Sequence, residues 1–278
     1  MYDFNVLSLF DGLSCAQLAL KQAGIEYNNY YASEIDKFAI KVTQHQFPST
    51  IQLGNITQLY GKDLPQINLL CGGFPCQSFS SAGKGLGFDD PRGQLFWHTV
   101  RLLKELQPRF FLFENVVMSK ANQAVITEAL GVDCFEIDSA LLTAQHRRRL
   151  YWTNIPFLKN IEERGVVIAD ILDSEPDPTC YLSEAGIARI AKSAYTKKLI
   201  TKDTKKTGTL LAGYHKTGGG HYYVQDTKGI RMFTPKECER LQTLPINYTS
   251  SVSKTQRYKS IGNCWTVDIV AHIFKGLL

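Results

Sequence analysis

The segment Ile67-Asn68-Leu69-Leu70-Cys71 runs directly into Gly72-Gly73-Phe74-Pro75-Cys76-Gln77-Ser78-Phe79-Ser80. A short apolar run ended by turn residues predicts a buried β-strand. Gly-Gly lets the backbone leave that strand at angles a Cβ forbids, and Pro75 fixes φ and removes a donor just before the cysteine. Cys76 is therefore expected on a stiff turn at the carboxyl end of a strand, where open α/β sheets place their chemistry. A loop rich in Ser and Gly follows and runs to Asp89-Asp90-Pro91-Arg92-Gly93. A single cysteine is by default a small buried hydrophobe. The rest of the chain decides whether Cys76 is more than that.

Outward from this strand, the first half of the chain alternates between two patterns. Asn5 to Phe10 and Tyr30 to Ser33 read as strands, with further strands near residues 51–53, 67–71 and 109–113. Helices are expected over 13–24, ended by Gly24, over 36–47, ended before Pro48, and over 94–106. Such alternation predicts a mostly parallel sheet with helices on both faces, an α/β architecture. It breaks near residue 158. Residues 159–253 are richer in Lys, Thr, Gly and Tyr and read as a second, irregular domain inserted before a closing apolar helix over 265–278. The expected division is residues 1–158 with 254–278 as one domain and 159–253 as the other. Thr234-Pro235-Lys236-Glu237 reads as a capping box opening a helix.

With 278 residues, 44% of them hydrophobic, the chain can bury a sizeable core. No apolar run reaches membrane-spanning length, and the start, Met1-Tyr2-Asp3-Phe4, lacks a signal-peptide pattern. Seven cysteines, odd in number and without a C-x-x-C pair, argue against a zinc site or a disulfide framework. A reduced, intracellular setting and no metal are expected. The net charge of +5, from 31 basic and 26 acidic residues, mildly favours a polyanionic partner.

Two further stretches bear on chemistry. Phe10-Asp11-Gly12-Leu13-Ser14 joins the first strand to the first helix without a G-x-G-x-x-G, which argues against a dinucleotide and hence a dehydrogenase. Glu34, just after the second strand, stands where nucleotide-binding α/β folds place an acid on ribose hydroxyls. Glu114 follows the strand over 109–113 and is expected on the same sheet edge as Cys76. In Gln145-His146-Arg147-Arg148-Arg149, which leads into a strand at Leu150-Tyr151-Trp152, strand alternation sets Gln145, Arg147 and Arg149 on one face and Arg148 on the other.

Phe-Pro-Cys-Gln at 74–77 resembles the nucleophile motif of the cytosine-5 DNA methyltransferases, and the resemblance extends along nearly the whole chain. It is greatest to the catalytic domain of the vertebrate de novo enzymes, with compact bacterial and phage modification methyltransferases close behind. The fold it implies is a Rossmann-like methyltransferase sheet with a small target recognition domain. The activity it implies is methyl transfer from S-adenosylmethionine to carbon 5 of a flipped-out cytosine in double-stranded DNA, through a covalent cysteine adduct, leaving S-adenosylhomocysteine.

The resemblance also implies roles. Cys76, Glu114, Arg147 and Arg149 match the catalytic motifs. Phe10, Asp11, Gly12, Leu13, Ser14, Glu34, Ile35, Asn55, Ile56, Gly73, Pro75, Leu95, Asn263, Cys264 and Trp265 match the cofactor-binding ones. Asn55 stands where the family commonly has Asp, and its side-chain oxygen can accept the same adenine hydrogen bond. Cys264 replaces the usual Ser. Gln77, Ser78, Ser80, Arg92, Gln145, Lys197, Lys198, Tyr214, His221 and Tyr222 are the implied DNA contacts; Lys202, Lys205 and Lys206 could also meet phosphate. The closing helix is expected to pack back onto the first domain. A cytoplasmic, prokaryotic or phage-encoded monomer is expected. An RNA cytosine-5 methyltransferase and a non-catalytic DNA-binding relative remain alternatives, although the RNA-modifying branch has Pro-Pro-Cys where this chain has Phe-Pro-Cys.

Overall fold

A computed structural model describes residues 4–75, 91–192, 199–218 and 220–278. Cys76, Gln77, Ser78, Ser80, Lys197 and Lys198 lie outside the described residues, and Arg92 lies outside the described side chains. The chain divides into two compact units: residues 1–137, 148–159 and 269–278 form the first, and residues 138–147 and 160–268 the second. The second unit thus takes in residues 138–147 and 254–268, which the expected division gave to the first domain, and leaves residue 159 to the first unit. No helix among the described residues is long and apolar enough to cross a membrane.

The first unit is built on β1 (Asn5–Leu9), α1 (Cys15–Ala23), β2 (Asn29–Ser33), α2 (Lys37–Gln46), β3 (Ile51–Gln52), β4 (Leu69–Gly72), α3 (Pro91–Leu106), β5 (Phe110–Val116), α4 (Lys120–Leu130), β6 (Cys134–Asp138) and β7 (Arg148–Thr153). The strands form one sheet in the order β3-β2-β1-β4-β5-β7-β6. The pairs from β3 through β5 are parallel, and β7 runs antiparallel to β5. All residues of β1 and β4 are buried, as expected of central strands covered on both faces. Leu7, Leu70, Phe96, Phe113 and Trp152 belong to the resulting core. His272 shares a 2.7 Å hydrogen bond with the Leu158 carbonyl, so the chain's last residues close against β7's continuation.

The α/β architecture agrees with the sequence, while several boundaries move. The first helix begins at Cys15 because Ser14 adopts φ +54°, and Gly24 ends it at φ +74°. Asp36 is a cap rather than a helical residue, its side chain accepting from the Phe38 amide. β5 continues three residues beyond Phe113 because β7 pairs with it through Val116, so Glu114 lies within the strand rather than after it.

The second unit is more regular than its sequence suggests. It contains α5 (Ile168–Ile171), α6 (Glu184–Ala191), a small sheet of β8 (Leu199–Ile200), β9 (Tyr223–Asp226) and β10 (Gly229–Arg231), then α7 (Pro235–Leu241) and α8 (Lys254–Asn263). The expected capping box is present: Thr234 accepts from the Glu237 amide and Glu237 from the Thr234 amide. The closing helix, α9 (Val267–Phe274), starts two residues later than expected and ends in a 3-10 turn.

Candidate active site

Strand order reverses between β1 and β4: the chain first builds outward through β2 and β3, then returns to build β4 and β5 on the other side. At such a switch point the connections diverge and leave a crevice at the carboxyl ends of the strands. The register defines which residues border it. Ser33, Leu9, Gly72 and Phe113 are partners in one row across β2, β1, β4 and β5. Glu34, Phe10, Gly73 and Glu114 each stand one residue past that row. Four stretches far apart in sequence therefore meet at one edge, on strands about 5 Å apart. The closeness of β1 and β4 explains Gly72: a Cβ there would stand 2.6 Å from the Leu9 carbonyl oxygen.

The loop leaving β1 is shaped by three left-handed residues at alternate positions, Phe10 (+54°), Gly12 (+57°) and Ser14 (+54°). For Phe and Ser this conformation is strained, and such strain concentrates at ligand-binding loops. Two carboxylates hold the loop. Glu34 accepts from the Gly12 amide at 2.8 Å and from the Ile35 and Asp36 amides at 2.7 and 2.8 Å. Asp11 is turned inward, accepting from Tyr30 Oη at 2.7 Å and from Ser14 Oγ. Gln17 continues this buried network by donating to Ser14 and Thr50. Of the residues implied for the cofactor, Asp11, Leu13 and Ser14 are thus buried, leaving Phe10, Gly12 and Glu34 nearer the surface. Ile35 is 73% exposed beside Glu34, an apolar surface next to a polar acceptor. Asn55 Oδ1 accepts from the Thr57 amide at 3.0 Å.

Burial pushes the Asp11 carboxyl up to about 6; hydrogen bonds from Ser14, Tyr30 and Ser8 offset this in part, while Glu34 adds to it. An acid whose folded value is raised above its unfolded one stabilises fully below the unfolded value, and that stability is lost as pH rises through the folded value. A rise from 3.8 to about 6 corresponds to on the order of 3 kcal/mol. Asp11→Asn keeps an acceptor for Tyr30 and removes the charge. It is expected to gain stability relative to the native chain between about pH 4 and 6 and hold that gain above, as read from thermal melts across that range. Equal pH slopes for the two proteins would show that Asp11 does not titrate in this way.

Past β4, Phe74 is buried with its ring 5.0 Å from that of Phe96. Its carbonyl accepts from Asn115 Nδ2 at 3.1 Å. Asn115 thus ties the Gly73–Pro75 turn to β5 at the residue next to Glu114. Glu114 itself pairs with Arg149, Oε1 to Nε 2.9 Å, both side chains being largely buried. Arg149 stands opposite Val116, two residues along β5, so the pair shares one sheet face. Arg148 points outward and pairs with Glu136, as strand alternation predicts.

Gln145 and Arg147 precede β7, which begins at Arg148. Both are buried within the second unit. Arg147 donates to the carbonyls of Leu210 (3.2 Å), Gly262 (3.3 Å) and Cys264 (2.9 Å). Gln145 donates to Leu241 O and accepts from the Leu210 amide at 2.6 Å. Tyr214 is also a core residue: it is 2% exposed, and its hydroxyl donates to Tyr222 O and accepts from the Phe233 amide. His221 packs edge-on to its ring, and Tyr222 fills the space a Cβ on Gly208 would occupy. Lys206 is taken up by the carbonyls of Ala140 and Thr143. Asn263 is exposed, while the Cys264 thiol is buried and bonds to Ile261 O at 3.2 Å. Leu95 and Trp265 are half-buried, and Ile56 is buried.

A family model described as C-5 cytosine-specific DNA methylase matches residues 4–155 and 133–278. The chain belongs to that family. It is a DNA cytosine-5 methyltransferase. It is 32% identical over 99% of its length to Type II methyltransferase M1.ScrFI of Lactococcus lactis subsp. cremoris, covering 78% of that protein. It is 30% identical over 97% of its length to Type II methyltransferase M.NlaX of Neisseria lactamica, covering 95% of it. In fold it resembles the Entamoeba histolytica methyltransferase EhMeth, with a TM-score of 0.84 and 18% identity over 100% of both chains. A Spodoptera frugiperda DNMT2 mutant gives 0.77 and 21% over 99% of both chains.

The two residues that sequence reading passed over are Tyr30, which holds Asp11, and Asn115, which holds Phe74. Asn115 carried a signal: it is a polar residue fully inside an apolar strand, and buried polar groups are there to be bonded.

Proposed function

We propose that this chain methylates carbon 5 of a cytosine that has been turned out of double-stranded DNA, using Cys76 as nucleophile and S-adenosylmethionine as methyl donor. The observation that carries this reading is the common register step of Glu34, Phe10, Gly73 and Glu114 at the strand-order reversal. It gathers a nucleoside acceptor, a strained loop, the turn leading to Cys76 and a carboxyl group along one edge.

The residues present fit the cofactor. Glu34 would take the ribose hydroxyls, since each carboxylate oxygen can accept more than one hydrogen bond. Ile35 offers an apolar surface to the adenine, and the Phe10–Ser14 loop, Asn55, Gly73, Pro75 and Leu95 would supply the rest of the first unit's contacts. When bound, S-adenosylmethionine supplies an electrophilic methyl group for carbon 5.

A base stacked in a duplex is out of reach of Cys76, so it must leave the stack. The Cys76 thiolate then bonds to carbon 6 of the ring. The displaced electron pair moves toward N3, where Glu114 delivers a proton. Arg149 fixes the Glu114 carboxyl, and Asn115 fixes the turn that presents Cys76. The ring is now an enamine, nucleophilic at carbon 5. Once carbon 5 carries the methyl group, its proton passes to a water molecule, the double bond between carbons 5 and 6 reforms as the thiolate departs, and Glu114 recovers the proton from N3. In this reading the second unit recognises the target sequence, and the chain acts in the cytoplasm as a modification enzyme.

Incubation with a methyl-labelled donor and either duplex DNA or tRNA tests the substrate. Label is expected in DNA cytosines only. Label in tRNA with none in DNA would replace this reading with RNA methylation.

A further inference from the structure

We infer that Tyr30 is a positioning residue for the cofactor: its buried hydroxyl, bonded to Asp11, holds the Phe10–Ser14 loop in the shape that receives S-adenosylmethionine, and so sets cofactor affinity from the interior of the first unit. This rests on the cofactor reading proposed above.

The middle of the loop is held through its backbone. The Asp11 amide donates to the Ser33 carbonyl at 3.2 Å, the Gly12 amide to Glu34 at 2.8 Å, and the Gly12 carbonyl accepts from Thr43 Oγ1 at 3.3 Å. The left-handed residues at either end, Phe10 and Ser14, need more, because side chains other than glycine avoid that conformation. The Asp11 carboxylate supplies it. One oxygen, Oδ2, accepts from Ser14 Oγ, and the other, Oδ1, accepts from Tyr30 Oη at 2.7 Å. Ser14 Oγ in turn accepts from Gln17 Nε2 at 3.0 Å, and Gln17 Oε1 accepts from Tyr27 Oη at 2.8 Å. In this line of side chains Tyr30 is the member that stands on the sheet, opposite Val6 in the β1–β2 register. It is the side-chain anchor between the loop and β2.

The anchor is inside the protein: Asp11 is 8% exposed, Tyr30 2% and Ser14 0%. Burial, with the Asp11 charge adding to it, holds the Tyr30 hydroxyl well above the ordinary tyrosine range, so it stays protonated and acts as the donor. Without that hydroxyl, Asp11 Oδ1 is a buried acceptor that has lost its partner, a costly state. Turning Asp11 toward solvent relieves it, and that movement also breaks the bond to Ser14. The strained residues then lose their support, and the loop spreads over other conformations. A ligand that binds one conformation loses affinity in proportion to the fraction that remains in it. The ring of Tyr30 has a separate role, packing 5.7 Å from that of Tyr27. Tyr30→Phe keeps the ring and removes the hydroxyl alone.

The test is a double-mutant cycle over Tyr30→Phe, Asp11→Ala and both together. Affinity for S-adenosylhomocysteine is read by titration calorimetry, melting temperature by thermal scans, and KM for S-adenosylmethionine separately from kcat. Tyr30→Phe is expected to weaken binding about 10-fold, as when the competent loop population falls to about a tenth. KM for S-adenosylmethionine should rise in step, with a far smaller change in kcat at saturating cofactor. Asp11→Ala should also weaken binding, and adding Tyr30→Phe to it should change affinity no further, because the bond is already gone. A Tyr30→Phe variant that binds as the native chain does, even with a lowered melting temperature, makes Tyr30 a residue of the core alone and overturns the inference. So does an equal loss from Tyr30→Phe with and without Asp11, since Tyr30 then does not act through Asp11. Should Tyr30→Phe fail to fold by itself, the comparison of Asp11→Ala with the double variant decides: equal affinities, both below native, support the inference, and any other pattern overturns it. A native chain that binds no S-adenosylhomocysteine overturns the cofactor reading instead, and the inference with it.

Discussion

Cys76→Ala is expected to abolish methyl transfer, with a loss of several orders of magnitude, while leaving binding to duplex DNA largely intact. The thiolate is the only group in the proposed chemistry that converts carbon 5 from a poor nucleophile into an enamine carbon. The fold should persist, because the turn ahead of Cys76 is fixed by other means: Gly72 at the tight β1–β4 approach, and Phe74 bonded to Asn115 and packed on Phe96. Turnover by methyl-label transfer and DNA affinity by fluorescence anisotropy separate the two effects. A variant that keeps native turnover removes Cys76 from the mechanism.

Glu114→Gln is expected to slow transfer by roughly 10²–10⁴-fold, the range for losing a general acid. Gln preserves the size and one acceptor for Arg149, so the pair with Arg149 weakens but the strand is retained. Affinity for S-adenosylmethionine should barely change, because Glu114 stands on β5 while the loop and Glu34 stand on the other side of β4. Cofactor binding by calorimetry and kcat at saturating cofactor distinguish the roles. Loss of cofactor binding with normal turnover at saturation would instead make Glu114 a cofactor ligand.

How far the sequence foretold this arrangement depended on the range of the interactions involved. The helix ended by Gly24 and the capping box at Thr234 are local features, each decided within a few residues, and the structure has both, whereas Gly72, expected to carry the chain out of the strand, lies inside β4 against Leu9. The meeting of the β1 loop, Glu34, Gly73 and Glu114 was also legible, because strand-helix alternation puts successive strand ends on one edge. Gln145 and Arg147 were not. Strand alternation placed them beside Arg149, but their side chains bond to residues between 63 and 117 positions away in sequence, which no local pattern encodes. Tyr214 shows the same limit: a tyrosine near glycines reads as a surface contact, yet its ring lies among Tyr258, Phe233 and Tyr223. Long-range burial overrides local composition.

The central claim is covalent catalysis by Cys76, and trapping tests it most directly. In a duplex carrying 5-fluorocytosine at the methylated position, carbon 5 has no proton to lose after methylation, so the thiolate cannot leave. Mass spectrometry of the native chain incubated with this duplex and S-adenosylmethionine is predicted to find the methylated fluorocytosine bonded to the peptide containing Cys76, with no adduct for Cys76→Ala. An adduct on any other residue, or complete methylation of ordinary duplex with no adduct on the fluorinated one, would contradict the account.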